Sequence, residues 1–346
     1  MSNEPLLEVE NLTVAFPTDE GIVQAVRGVS FTLEPGRVLG IAGESGSGKS
    51  VTTLAIMGLL PRSARVAGSV RFQGRELLGL SERALESIRG RRISVIFQDP
   101  MTSLNPVYTV GWQVAEAIEM HQKVSKKQAW TRAIELLDTV GIPRAEERAK
   151  SYPHEFSGGM QQRVVIATAM ANDPDVIIAD EPTTALDVTV QAQVLEALKT
   201  AREETNAAVI FITHDLAAMA GVADEIIVMY AGKPVESAPT DDLFYRPRMP
   251  YTVGLLASLP RLDTDAAEPL RPIPGSPPQV IDLPPGCPFT PRCPLAREQC
   301  REEEPELRPF GEGHLTACHF AEELEERGGE RIFAPIAADT TELAST

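Results

Sequence analysis

Between Leu6 and Leu39 apolar and polar residues roughly alternate, in "LLEVENLTVAF" and "IVQAVRGVSFTL", on either side of a turn-rich "PTDEG". Period-two alternation about a turn predicts antiparallel strands with one covered face. The pattern then changes. "RVLGIAG" runs apolar into "ESGSGKS" and on into a helical "VTTLAIMGLL", which reads as strand, glycine loop and helix. "GSVRFQG" is β-like, "SERALESIRG" is helical from Ser81 with Leu85 on its buried face, and "RISVIFQ" is a buried strand ending at Gln98. From Val110 to Val140 apolar residues recur at spacings of three and four, which predicts an all-helical segment. The strand and helix alternation resumes with "DVIIADEP", "VTVQAQVLEALKTAREE", "AAVIFITHD" and "EIIVMYAG". Uniformly apolar strands separated by helices predict a parallel sheet covered on both faces, hence an α/β core.

The character shifts near Arg246. "YRPRMPYTVGLLASLPRLD" holds one short helix, and proline then dominates "RPIPGSPPQVIDLPPG". The expected division is a main unit over residues 1–250, a small irregular proline-rich unit carrying all four cysteines over 251–325, and a flexible tail over 326–346. A hydrophobic content of 43% with 5% aromatic residues fits an ordinary globular α/β protein. The net charge of -17, concentrated after Leu262, disfavours nucleic acid and anionic lipid as partners. No targeting segment and no apolar run of about 18 residues is present, so a cytoplasmic chain that does not itself span a membrane is expected.

The candidate chemistry begins at "GESGSGKS", which is Gly43, Glu44, Ser45, Gly46, Ser47, Gly48, Lys49 and Ser50. It fits the G-x-x-x-x-G-K-[ST] phosphate loop between an apolar strand and a helix. Such glycines turn backbone N–H groups inward at a helix N-terminus, where the dipole also favours phosphate. Lys49 is placed to reach the β- and γ-phosphates of a nucleotide, and Ser50 to hold Mg²⁺. "VIIADEP" delivers Asp180 and Glu181 to the C-terminal edge of an apolar strand, where ligands of open α/β sheets bind. There Asp180 is a candidate Mg²⁺ partner and Glu181 a candidate for polarising an attacking water. Two acids ending a strand also serve as a helix cap, so it is the phosphate loop that favours the functional reading.

With "EFSGGMQQR" just upstream of the acidic strand, the chain resembles the ATP-binding cassette ATPases, whose signature this is. Further landmarks follow in order: Gln98 in "FQDP" is similar to the Q-loop, Asp187 in "TTALD" to the D-loop, and His214 in "ITHD" to the switch histidine. Phe16 matches the aromatic residue that stacks on adenine. The resemblance covers about residues 6–250. It implies a P-loop NTPase core with an antiparallel β subdomain and a helical subdomain, binding ATP and Mg²⁺. It also implies that Ser157, Gly158 and Gly159 close over the γ-phosphate held by a second cassette, so that two ATP molecules are sandwiched in the dimer. Glu181 would then be base or water-positioner, His214 a γ-phosphate contact, and Gln98 a link between Mg²⁺, water and the transport partner. Met160 in the signature and Val51 after Ser50 depart from the common pattern, and neither removes a backbone donor.

Three readings compete: an importer cassette, a DNA-repair or translation cassette, and a P-loop kinase. The interval between loop and signature is too short for a repair-type coiled coil, there is one cassette and not two, and a kinase has no use for the signature. "FQDPMTSLNPVYTVGWQVAEAI", "RPRMPYTVGLLASLP" and the cysteine segment resemble the oligopeptide and dipeptide importer branch, in its D-type cassette subunit. That resemblance implies a peripheral protein at the cytoplasmic face of the membrane, working with a second, different cassette, two permeases and a solute-binding protein. Nickel importers share the branch. Cys287, Cys293, Cys300 and Cys318 have the spacing C-x5-C-x6-C-x17-C, without C-x-x-C knuckles. Disulfides are not expected in a reducing cytoplasm. Four thiolates suit zinc or an iron–sulfur cluster, and branch members with this pattern look like [4Fe-4S] binders, with zinc or no metal as the alternatives. His319, beside Cys318, is a substitute ligand or a bystander.

Overall fold

The computed structural model describes residues 5–184, 186–259, 272–281, 283–327 and 332–333; the tail expected over 326–346 therefore lies largely outside the described residues. An antiparallel sheet is formed by β1 (Leu7–Thr18), β2 (Gly21–Leu33), β4 (Arg65–Phe72) and β5 (Arg75–Glu76) in the order β2-β1-β4-β5. In β1 the buried residues are Leu7 and Val9, then Leu12 and Val14, so the alternation changes parity between them. A bulge accounts for this, because the register shifts between Val9 and Leu12 where Asn11 takes a left-handed φ of 46°. Across from it Gly68 has φ 107°, and a Cβ there would lie 2.5 Å from the Asn11 carbonyl oxygen, so the bulge needs glycine opposite.

The main sheet contains β3 (Val38–Ala42), β6 (Ile93–Ile96), β7 (Val176–Asp180), β8 (Ala208–Thr213), β9 (Glu225–Tyr230), β10 (Lys233–Pro239), β11 (Arg308–Pro309) and β12 (Leu315–Thr316), in the order β11-β12-β10-β9-β3-β8-β7-β6. The run from β9 through β3, β8 and β7 to β6 is parallel. Every residue of β3, β7 and β8 is buried, which is why these strands read as unbroken apolar runs. Two apolar clusters lie on its faces. One joins it to helices Val110–His121, Lys126–Thr139, Gly158–Met170 and Val188–Thr205, and the other joins it to the antiparallel sheet and the helix Lys49–Ile56. The α/β reading and the parallel core agree with this architecture.

Three expectations change. The segment from Val110 to Val140 is two helices, broken at Gln122, with Ser125 and Gln128 forming a reciprocal capping box at the second start. "SERALESIRG" is α-helical only over Glu82–Glu86 and then turns to Gly90, whose φ is 69°. The C-terminal segment also adds strands to the main sheet, since β12 pairs with β10 at Glu236↔Thr316 and Ser237↔Leu315. Strand β10 carries a proline near each end and a wholly buried Glu236, so no apolar pattern marks it. The Glu236 carboxylate accepts the backbone N–H groups of Arg248 and Met249, and its Oε1 lies 2.8 Å from His314 Nε2. Those partners make burial of the acid tolerable.

Candidate functional site

The C-terminal ends of β3, β7 and β8 open on one edge of the sheet and deliver the phosphate loop, Asp180 with Glu181, and His214. Within the loop Gly43 and Gly48 have φ 146° and 100°, and a Cβ at either would stand 2.3 Å from the Met229 oxygen or 2.4 Å from the Ala25 oxygen. The backbone passes between β2 and β9 where no side chain fits. Gly46, at φ 79°, meets nothing within 4 Å, so it is needed for conformation and not for space. Helix Lys49–Ile56 starts directly after Gly48, which points its first N–H groups at the loop.

Lys49 is buried, and its ammonium donates to the Gly43 oxygen at 2.7 Å and the Glu44 oxygen at 2.9 Å. Burial lowers its pKa, against which the nearby carboxylates of Glu181, Asp180 and Glu44 act. Ser50 donates to Asp180 Oδ1 over 3.0 Å. Burial raises the Asp180 pKa, an effect opposed by the Ser50 hydrogen bond and by Lys49 and reinforced by Glu181. A hydroxyl and a carboxylate this close, on the rim of an anion nest, are the oxygen donors that Mg²⁺ accepts beside nucleotide phosphates. Val51 follows in the helix and packs against the second apolar cluster.

Glu181 has a left-handed φ of 48°, and its N–H is anchored on the Ile212 oxygen at 2.9 Å. This sparsely populated conformation turns the side chain out of the sheet. Its Oε2 accepts from Gln98 Nε2 at 2.9 Å and Thr184 Oγ1 at 2.8 Å, and lies 3.3 Å from His214 Nδ1. The structure thus joins Lys49, Ser50, Gln98, Asp180, Glu181 and His214 in one constellation. Thr184 had not been singled out in the sequence, although it stands in the same "TTALD" stretch as Asp187.

Ser157 caps the helix Gly158–Met170, its hydroxyl accepting the Met160 N–H at 3.4 Å. Asp187 caps the neighbouring helix by accepting the Val190 N–H at 3.0 Å. The two helix starts touch closely: a Cβ on Gly159 would fall 2.1 Å from Val190 Cγ1, and one on Gly158 would lie 3.6 Å from Leu186. Phe16, paired with Val23 on β1 and β2, is partly buried against the second cluster.

Cys287, Cys293, Cys300 and Cys318 line one small cavity of about 20 Å³, together with Met249, Phe289, Leu295 and Phe320. Among the described residues no group of three or more Cys, His, Asp or Glu is placed to hold a metal ion, so this arrangement does not by itself support the metal centre expected from the sequence. Desolvation by apolar neighbours, helped by mutual proximity, raises the Cys287 pKa and pushes those of Cys293 and Cys318 up to about 12. A void of that size holds about one water. His319 contacts Gln299 and the Glu303 oxygen, which makes it a bystander here.

The chain is similar to known proteins. A family profile described as "ABC transporter" matches residues 26–184, and one described as "Oligopeptide/dipeptide transporter, C-terminal region" matches 235–300. The chain is 53% identical over 313 residues to the oligopeptide transport ATP-binding protein OppD of Salmonella typhimurium, covering 90% of this chain and 93% of that one. It is 52% identical over 325 residues to the dipeptide transport ATP-binding protein DppD of Bacillus subtilis, covering 93% and 97%. Identity to OppD of Mycobacterium tuberculosis is 57% over 330 residues, 95% of this chain, yet the chain spans only 54% of that relative's length. Among solved structures, the dimeric post-hydrolysis state of the cassette MJ0796 bound to ADP and Pi superposes with a TM-score of 0.61 at 30% identity, over 68% of this chain and 98% of that one. CbiO1 from Clostridium perfringens, part of the transporter complex CbiONQ, gives 0.60 at 26% identity over 73% and 95%. The chain belongs to the ABC transporter family of ATP-binding cassettes, as a cassette carrying the oligopeptide/dipeptide transporter C-terminal region.

Proposed function

We propose that this chain is an ATP-hydrolysing subunit that powers import of oligopeptides or dipeptides through a multi-subunit transporter. The single observation that carries the reading is the constellation at one sheet edge, a phosphate loop with Lys49 and Ser50 facing Asp180, Glu181, Gln98 and His214, in a chain about half identical to peptide-transport ATP-binding proteins. In this reading the loop N–H groups and Lys49 hold the phosphates, Ser50 and Asp180 hold Mg²⁺, and Phe16 stacks on adenine. Glu181 positions or activates water, with Gln98 and His214 fixing its carboxylate.

Ser157, Gly158 and Gly159 form a second helix start that can receive a phosphate, and Asp187 stands beside it. We assign them to the site of a partner cassette, a homologous but different chain. ATP then acts by population shift: it binds the closed cassette dimer better than the open one, and hydrolysis removes that preference. Among the described residues no helix is long and apolar enough to cross a membrane. Two permease subunits would form the passage, with a solute-binding protein delivering cargo and this chain peripheral on the cytoplasmic face. The unit 251–325 would be an appendage to the cassette over 1–250.

A thiolate-held centre at Cys287, Cys293, Cys300 and Cys318, [4Fe-4S] in preference to zinc, is a separate proposal. What supports it is the convergence of four sulfur donors on one cavity. It requires the thiols to lose their protons on binding the metal. Iron and sulfide assays with visible spectra on anaerobically purified protein test it, and a colourless zinc-bearing preparation ends it.

The composite-site reading predicts weak hydrolysis by the isolated chain, with a rate per chain that rises with concentration. A high, concentration-independent rate would contradict it. Mass spectrometry of ligand retained by the complete transporter with its solute-binding protein identifies the cargo.

A further inference from the structure

The phosphate loop is gripped by the cysteine-bearing segment. Arg292 ends the short turn Thr290–Arg292, between Cys287 and Cys293 in the chain; Thr290 N–H donates to the Cys287 oxygen and Cys293 N–H to the Thr290 oxygen. Its side chain, 4% exposed, forks onto both oxygens of Glu44, Nη1 to Oε2 at 2.6 Å and Nη2 to Oε1 at 2.8 Å. Nε donates to the Pro274 oxygen at 2.9 Å, and the rings of Tyr230 and Phe289 each lie 5.9 Å from the guanidinium carbon. A planar fork held on all its edges has little freedom left.

Glu44 is the second residue of the phosphate loop, and its peptide is held on both sides. Its N–H donates to the Tyr251 hydroxyl at 2.8 Å, and its carbonyl oxygen accepts from Lys49. Tyr251 in turn packs against Phe289 and Tyr230, in the same aromatic cluster that flanks Arg292. The loop therefore carries a carboxylate beside the place where a polyanion is to bind, close enough to act on the charge of Lys49. Left unpaired, that carboxylate repels phosphate. Paired in a bidentate fork, it contributes no net charge.

We propose that Arg292 is a positioning residue of the nucleotide site: it holds the Glu44 carboxylate and cancels its charge, so that affinity for the triphosphate depends on the docked cysteine-bearing segment. This rests on the reading of Gly43 to Ser50 as the ATP site, and it adds to that site a residue 248 positions away in the chain.

A charge cycle tests it, with a fluorescent ATP analogue and Mg²⁺ on the full chain at low salt. The variants Glu44→Gln, Arg292→Met and the double variant change the local charge by +1, -1 and 0. The expected order of affinity is Glu44→Gln tighter than wild type, the double variant close to wild type, and Arg292→Met weaker by about tenfold. The spread narrows at high ionic strength. A merely structural brace predicts that all three variants bind more weakly and that the double variant is no better than Arg292→Met; that result overturns the proposal. If Arg292→Met does not fold, Glu44→Gln decides alone, tighter binding supporting the proposal and weaker binding refuting it. A wild type that does not bind the analogue, or binds it no better than Lys49→Ala does, overturns the ATP-site reading itself and this inference with it.

Discussion

Gln98 Nε2 donates to Glu181 Oε2 over 2.9 Å, joining the loop after β6 to the acid that follows β7 although 83 positions separate them in the chain. Thr184 and His214 converge on the same oxygen, which fixes the rotation of the carboxylate. A preset carboxylate is what a water-positioning group requires.

Glu181→Gln keeps the size of the side chain and one oxygen acceptor but removes the proposed base. In the assembled transporter, ATP binding should stay within about threefold, and turnover should fall by about a hundredfold or more. Hydrolysis at a normal rate, measured as phosphate release, would assign the chemistry to another group.

Gly159 tests the contact between the two helix starts. A methyl there would fall 2.1 Å from Val190 Cγ1, so Gly159→Ala must push the helix Val188–Thr205 away from the helix Gly158–Met170. Overpacking of this kind costs about 1–3 kcal/mol. Urea unfolding should register that loss, and Val190→Ala in the same chain should recover most of it. A double variant as unstable as the single one would mean that backbone conformation at Gly159, and not the Val190 methyl, sets the need for glycine.

Asp180 gives a pH dependence of definite sign. Its folded pKa is raised above the ordinary 3.8, chiefly by burial, so the protonated form is the one favoured by folding. Stability from this group is fully present below 3.8 and is lost as pH rises through the elevated folded value. This group therefore contributes less stability at neutral pH than in acid. Asp180→Asn should raise the melting temperature of the nucleotide-free chain at neutral pH, with the gain shrinking as pH falls, while Mg²⁺-dependent nucleotide binding weakens. A lower melting temperature at neutral pH would show that the Lys49 and Ser50 contacts outweigh desolvation.

The parts of this fold visible in the sequence are those governed by local pattern. The buried strands Val38–Ala42, Val176–Asp180 and Ala208–Thr213 are apolar at every or nearly every position, and the loop Gly43–Ser50 carries its glycines where φ and space demand them. The pairing of Arg292 with Glu44 was not visible, because nothing local marks which of many arginines will find a partner across the chain. Strand Lys233–Pro239 was missed for a related reason. Its buried Glu236 is stabilised by Arg248, Met249 and His314, all distant in sequence, so the residue reads as exposed until the fold supplies its partners. The cysteines show the converse. Their clustering in sequence pointed to convergence, and the four side chains do share one cavity, while the raised pKa values of Cys293 and Cys318 follow from burial that spacing does not encode.

That burial sets the reactivity of the thiols. Only the thiolate attacks a disulfide reagent, and Cys293 and Cys318 are pushed up to about 12 from an ordinary 9.0, mainly by desolvation. At pH 8 their thiolate fraction is on the order of a thousandfold below that of a free cysteine. In chelator-treated protein, these two cysteines should therefore label with an aromatic disulfide at least a hundredfold more slowly than after unfolding in guanidinium, as read by peptide mass spectrometry. Raising the pH from 8 to 9 should accelerate each about tenfold, because both remain far below their pKa. Rapid labelling at pH 8 would mean that the segment opens often enough to expose the cavity, and the link from Arg292 to Glu44 would have to break and re-form on the same timescale.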